Sequence, residues 1–263
     1  MRHLRSLLKC SAAALILALP LVMALEAIAQ IRFIAPQVGA PGNREAGTSR
    51  SETCAASTGQ RLTAVVPETN LGLTTKAFPT FFAYLPANNA TGAELHLYEE
   101  ASGEQVYVAQ IAMPPANEAA EYRYQPTVLQ LSAPVSASDS APGAVTLEPG
   151  KNYIWALMLI CDPAERTDDV IAIGVVQRVD AAYLNRFSAD LQRQLTGAES
   201  VPAETKLSTY GRAGIWHELL ETLAPLAKSD PVAYQDDWAA LLDQQGLGAI
   251  ADAPIVNSQV DPL

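Results

Sequence analysis

The segment Lys151-Asn152-Tyr153-Ile154-Trp155-Ala156-Leu157-Met158-Leu159-Ile160-Cys161 reads as a β-strand with two apolar faces. The two-residue strand period puts Tyr153, Trp155, Leu157, Leu159 and Cys161 on one side, and Ile154, Ala156, Met158 and Ile160 on the other. The next run repeats the pattern, with Ile171, Ile173 and Val175 set against Val170, Ala172 and Val176. Strands with one wet face alternate apolar and polar residues; these do not, so their sheet is expected to be covered on both sides.

Working outward, short β-rich runs fall at 61–66, 78–85, 93–99, 104–112, 122–131, 151–161 and 169–179. Turn residues separate them: Pro67 to Asn70, Pro86 to Gly92, Ala101-Ser102-Gly103, the Pro/Ser/Ala-rich stretch Ser132 to Gly143, and Cys161-Asp162-Pro163. Leu147-Glu148-Pro149-Gly150-Lys151-Asn152-Tyr153 delivers a tyrosine to a strand start, as at the tyrosine corner of immunoglobulin-like sandwiches. A tyrosine merely half-buried at a strand start would look the same. The expected fold is α+β: a seven-stranded antiparallel immunoglobulin-like β-sandwich over 60–180, followed by a small helical segment over 181–250.

After Asp180 the apolar period becomes helical. Ala181 to Leu195 carries Tyr183, Leu184, Phe187, Leu191 and Leu195 as a stripe, with Gly197 as a stop. Ser208 to Lys228 presents Trp216, Leu219, Leu220, Leu223 and Ala227. A third helix is capped by Asp230, opens on Pro231, presents Tyr234, Trp238, Leu241 and Leu242, and stops at Gly246. The short Ser229-Asp230 join makes the last two an antiparallel hairpin. A lone tetratricopeptide-like hairpin would look similar, but no period near 34 residues recurs. These stripes are expected to cover one sheet, leaving 251–263 as a flexible tail.

Residues 1–29 have the zones of an export signal: Arg2, Arg5 and Lys9, then an apolar run from Cys10 to Leu25, then Ala27-Ile28-Ala29. The run is shorter than the roughly 20 residues that cross a bilayer, and Pro20 interrupts it, so no transmembrane anchor is expected after cleavage. Removing 1–29 takes Lys+Arg from 17 to 14 and Asp+Glu from 28 to 27, which moves the net charge from −11 to −13. So acidic a chain lacks the surplus of Lys and Arg that displaces counterions from nucleic acid, and the same charge disfavours anionic membranes.

Cys54 and Cys161 remain as an even pair in a chain bound for an oxidising compartment. A disulfide between them would close a loop of about a hundred residues and contribute about 4 to 5 kcal/mol by loop entropy. Two buried free thiols are the other reading.

Candidate chemistry is sparse. His217-Glu218-Leu219-Leu220-Glu221 begins like a zinc-protease helix but lacks the second histidine, and His96 lies far away in sequence. Glu221 could ligate; a solvated helix edge is the simpler reading. There is no G-x-S-x-G elbow. The pairs Glu99-Glu100, Asp168-Asp169 and Asp236-Asp237 could serve glycoside hydrolysis only if two carboxylates faced one another across a cleft. No cofactor, metal site or catalytic residue is assigned. In the arm 30–59, Arg44 and Arg50 sit among small residues that could nest an anion or contact a partner, an extended linker being the plainer reading. Asn89-Ala90-Thr91 is a glycosylation sequon.

Several of these landmarks together resemble a known family. Gly39-Ala40-Pro41-Gly42-Asn43-Arg44, Arg50 before Cys54, Leu62 to Pro67, Pro79 to Pro86, Cys161-Asp162, Gln177-Arg178-Val179, and Gly214-Ile215-Trp216 followed by Trp238 and Leu241-Leu242 are similar, in order, to the cyanobacterial family of domain of unknown function 928. The resemblance implies an exported cyanobacterial protein and no established reaction. Family members usually carry an aromatic residue and then an acid after Gly-Ile-Trp; His217 stands at the aromatic position. The function expected is a non-enzymatic binding module of the periplasm, cell envelope or extracellular space that takes an envelope protein or glycan. The alternative is an envelope hydrolase using acidic residues or His217 in a cleft between sandwich and helices. A third reading has the arm add a strand to a neighbour.

Overall fold

In Phe81–Leu85, Phe81, Ala83 and Leu85 turn to one core while Phe82 and Tyr84 turn to another, and all five are buried. A strand buried on both faces needs a layer on each side, and the architecture follows from how those layers are supplied. The computed structural model describes residues 31–47, 54–56, 59–132 and 146–263. The expected leader, Arg50 and most of the Ser132–Gly143 stretch lie outside the described residues.

Among the described residues nine strands form a single sheet: β1 (Thr63–Ala64), β2 (Leu71–Thr74), β3 (Phe81–Leu85), β4 (Gly92–Glu99), β5 (Gln105–Ile111), β6 (Thr127–Ser132), β7 (Asn152–Ile160), β8 (Val170–Arg178) and β9 (Ile255–Pro262). Their order is β1-β3-β6-β9-β5-β4-β7-β8-β2. The pairs β2/β8 and β6/β9 are parallel and the rest antiparallel. The sheet curls into a half-barrel that brings β1 beside β8. Leu95, Leu97, Leu129, Leu131, Tyr153, Trp155, Leu157 and Leu159 fill its interior.

This corrects the expected seven-stranded antiparallel sandwich. Two strands carry little signal of their own. β2 is a four-residue run, Leu-Gly-Leu-Thr, that follows the left-handed Asn70. β9 lies in what reads as a flexible tail, because only Ser258 and Val260 of its eight residues are buried. Yet β9 sits between β6 and β5 and joins β1-β3-β6 to β5-β4-β7-β8-β2. Two layers that would have packed face to face become one continuous curved layer.

The helices are α1 (Ala181–Leu184), α2 (Ala189–Leu195), α3 (Ala203–Ala213), α4 (Trp216–Ser229) and α5 (Pro231–Gln244). The Asp230 side chain caps α5 by accepting from Ala233 N–H, and α4 and α5 pack as the expected hairpin. The first two expected helices are each split. Ser188 accepts from Leu191 N–H to start α2 afresh, and Gly214, at φ 69°, ends α3 before Ile215 turns the chain into α4.

Trp216, Leu219, Leu220, Leu223, Trp238, Leu241 and Leu242 cover Leu71, Leu73, Phe82, Tyr84, Val128, Val175 and Val179. The helical layer therefore lies over β2, β3, β6 and one end of β8, where the two sheet edges approach. It does not extend over Met158, Ile160, Ile171 and Ile173, contrary to the cover inferred from the apolar pattern. The sheet is wider than one layer of short helices, and closing the seam takes that layer first. The arm belongs to this core: Ile31 and Phe33 are buried in it, Ile34 N–H donates to Gly211 O at 2.9 Å, and Glu45 bridges to Thr63 of β1.

Deleting residues 255–263 is expected to abolish the single cooperative transition in thermal unfolding followed by circular dichroism. Adding the synthetic peptide Ile255–Leu263 in trans should restore it, because the missing element is a strand with two partners.

Candidate functional site

Three consecutive residues at the start of α4 each hold a different part of the sheet. Trp216 Nε1 donates to Val65 O, just after β1, at 2.8 Å. His217 Nδ1 lies 3.0 Å from Thr80 O, just before β3; since a carbonyl only accepts, Nδ1 carries the proton. Glu218 Oε1 accepts from Thr74 Oγ1, Thr75 N, Thr75 Oγ1 and Lys76 N at 2.7 to 3.2 Å, which fastens the end of β2. Lys76 Nζ also pairs with Glu221 at 2.5 Å.

His217 and Glu218 are 1 % and 3 % exposed. His217 packs edge-on to Phe81, and its Nε2 has no hydrogen-bond partner among the described residues. Burial pushes its pKa down to about 4, against the hydrogen bond to Thr80, which favours the charged form. Burial likewise pushes the Glu218 carboxyl up, opposed by the hydrogen bonds from Thr75 and Thr74. The residues that opened the metalloprotease and hydrolase readings are therefore a neutral ring in the core and a turn anchor, sealed from solvent.

Gly72 of β2 lies directly over the imidazole: a Cβ there would stand 2.6 Å from Nε2. Gly72→Ala is expected to destabilise by about 1 to 3 kcal/mol in urea unfolding. Acid should also weaken the His217 contribution to this seam. The folded-state pKa of His217 is below its unfolded value of 6.5, so its contribution is present above pH 6.5 and lost as pH falls toward 4. Glu218, with a raised pKa, slopes the other way. His217→Asn, which keeps an N–H toward Thr80 O, should shrink the stability difference between about pH 7 and pH 4 by about 3 kcal/mol.

The other polar cluster lies on the outer face of the sheet. Along β4, Glu94, His96 and Tyr98 alternate with the inward Ala93, Leu95 and Leu97. His96 Nε2 is 2.9 Å from Glu94 Oε2, and Tyr98 OH is 3.2 Å from His96 Nδ1 with the two rings stacked. Arg166, on a short 3₁₀ turn (Arg166–Asp168) between β7 and β8, reaches Glu94 Oε2 at 3.0 Å and Asp169 Oδ2 at 2.5 Å. Desolvation pushes the Glu94 carboxyl up, but hydrogen bonds from Arg166 and His96 outweigh it and hold the pKa below the ordinary value. Asp169 Oδ1 accepts from Cys161 N–H at 3.2 Å, tying the row to the Cys54–Cys161 disulfide.

This row adjoins open aliphatic surface. Register places Glu94 beside Met158 and then Ile171, and His96 beside Ala156 and then Ile173. Ile171 and Ile173 are 38 % and 37 % exposed, whereas Ala156 is 6 % exposed and makes a dip between His96 and Ile173. Sequence reading missed Glu94, Tyr98 and Arg166 as members of a site. The period-2 polar pattern on β4 was legible, but the contribution of the β7–β8 turn was not.

The remaining candidates are dispersed. Arg44 spends its guanidinium on Val66 O and Gly246 O, 3.1 and 3.3 Å away. Glu99 pairs with Lys151, Glu100 accepts from Asn152, and Asp169 holds Arg166, so the adjacent acids diverge. Asn89 binds Glu121 O and Arg123 N–H through its amide. Tyr153 OH accepts from Glu148 N–H at 3.2 Å, the contact of a tyrosine corner in a fold of another kind. A cleft of about 430 Å³ is lined by Lys228, Gln235, Trp238, Asp252 and Ile255 among others, and neither histidine borders it.

A family profile, Domain of Unknown Function (DUF928), matches residues 45–255. The chain belongs to the DUF928 family. The match takes in the α4 seam and the Glu94–Arg166 row, and it ends where β9 begins. No curated protein and no solved structure is similar to this DUF928 chain.

Proposed function

We propose that this DUF928 protein is an exported, non-enzymatic interaction module of the periplasm or cell envelope, and that it holds a protein partner on the outer face of β7 and β8. One observation carries the reading: among the described residues no helix covers the aliphatic face of Met158, Ile160, Ile171 and Ile173, and Ile171 and Ile173 stand open to solvent as large aliphatic side chains. Contiguous apolar surface on an otherwise charged protein marks a contact site. A protein partner suits the face better than a glycan, because its open centre is aliphatic rather than aromatic. Export is supported by the leader-like residues 1–29 and by the Cys54–Cys161 disulfide, a bond that persists in oxidising compartments.

A photo-crosslinking residue at position 173, introduced in cells that express the protein, should give a discrete higher-mass adduct. The adduct should disappear with Ile171→Asp, and the same group at the exposed Val232 of α5 should give none. Equal adducts from both positions, or indifference to Ile171→Asp, would refute the reading.

A further inference from the structure

The open face has a charged border. Where β7 turns into β8, Asp162, Glu165, Arg166, Asp168 and Asp169 follow one another, and Arg166 reaches from this turn to Glu94 on the outer face. The turn therefore rims the aliphatic surface at the Ile160 and Ile171 end. Its one cation is neutralised in place by Glu94 and Asp169. Asp162 and Glu165 remain exposed. Glu165 accepts from Thr167 Oγ1 at 2.6 Å and Thr167 N at 3.3 Å, contacts that favour its ionised form. The rim is also preorganised: Asp162 bridges back to Glu165, and Cys161 N–H holds Asp169 from a residue fixed by the disulfide.

We infer that the β7–β8 face is built for a protein surface with an aliphatic centre and a Lys/Arg flank, the centre lying on Met158, Ile171 and Ile173 and the flank on Asp162 and Glu165. This rests on the binding-module reading above and specifies the partner. Aliphatic contact supplies the buried area, and the acidic rim sets orientation and association rate. The same rim, on a chain of net charge −11, repels a second copy and an anionic lipid surface.

The test uses the disulfide-bonded protein and three amphipathic helical peptides with the same Leu spacing but Lys, Ser or Glu on the polar face. Binding is read by fluorescence anisotropy. The Lys peptide should bind about tenfold tighter than the Ser peptide, and Ile171→Asp with Ile173→Asp should weaken both by about tenfold. Asp162→Lys with Glu165→Lys should erase the preference for Lys and leave the Ser peptide unchanged. Asp162 and Glu165 are exposed turn residues, so thermal unfolding of the rim variant should stay unaltered, and Ile171→Thr with Ile173→Thr, which keeps β-branched side chains, should weaken peptide binding in the same direction and controls for folding of the isoleucine variant.

A Lys preference that survives the rim reversal, or isoleucine-dependent binding with no charge preference, overturns the cationic partner and leaves the interaction face standing. Lys-peptide binding indifferent to the isoleucine changes is diffuse attraction to an acidic chain, and sinks both readings. Absence of binding by all three peptides also overturns the inference. So does isoleucine-dependent self-association, or isoleucine-dependent binding to phosphatidylcholine vesicles, since either gives the face another occupant.

Discussion

The fold depends on the first turn of α4. A curled nine-stranded sheet has two edges that approach without pairing, and Trp216, His217 and Glu218 reach Val65, Thr80 and the Thr74–Lys76 turn across that gap. The contacts to Val65, Thr80 and Thr74 are made inside the core, where an unmade hydrogen bond costs more than it would at the surface. Gly72 is the counterpart on the sheet, leaving room for the imidazole where a side chain would collide. His217 keeps the space-filling role of an aromatic ring through its edge contact with Phe81, and adds one hydrogen bond that a phenyl ring could not make.

Closing the seam decides what is left open. The helices, with Ile31 and Phe33 of the arm, are gathered over β2, β3 and β6, so among the described residues one apolar side of β7 and β8 has no cover. The polar residues beside it are arranged to neutralise one another: Glu94 receives both His96 and Arg166, and Asp169 takes the other side of Arg166. That row is held by ion pairs and linked to the disulfide through Cys161.

Several local features were legible because their causes are local. Asp230-Pro231 starts α5 since a carboxylate accepts the first free N–H groups and proline needs no donor there. Tyr153 makes its corner contact because Glu148-Pro149-Gly150 turns the chain back within five residues. The Cys54–Cys161 pairing, across 107 residues, is not local and was legible only because two candidates remain after the leader-like segment. Arrangements that depend on distant partners were not legible. β9 shows almost no buried face of its own and is a strand because β5 and β6 flank it. His217 and Glu218 look like a surface motif until the seam closes over them.

By itself, the amino-acid order determined the doubly apolar character of β7 and β8, the helical nature of residues after Asp180, the acidic charge and the cysteine pair, since each follows from side-chain chemistry over a few residues. Tertiary structure alone decided that the strands form one curved sheet instead of two packed ones, which apolar surfaces the helices cover, and that Arg166 meets Glu94. Those outcomes turn on strand order and on competition between distant surfaces for a limited cover, and neither is encoded in any single stretch of chain.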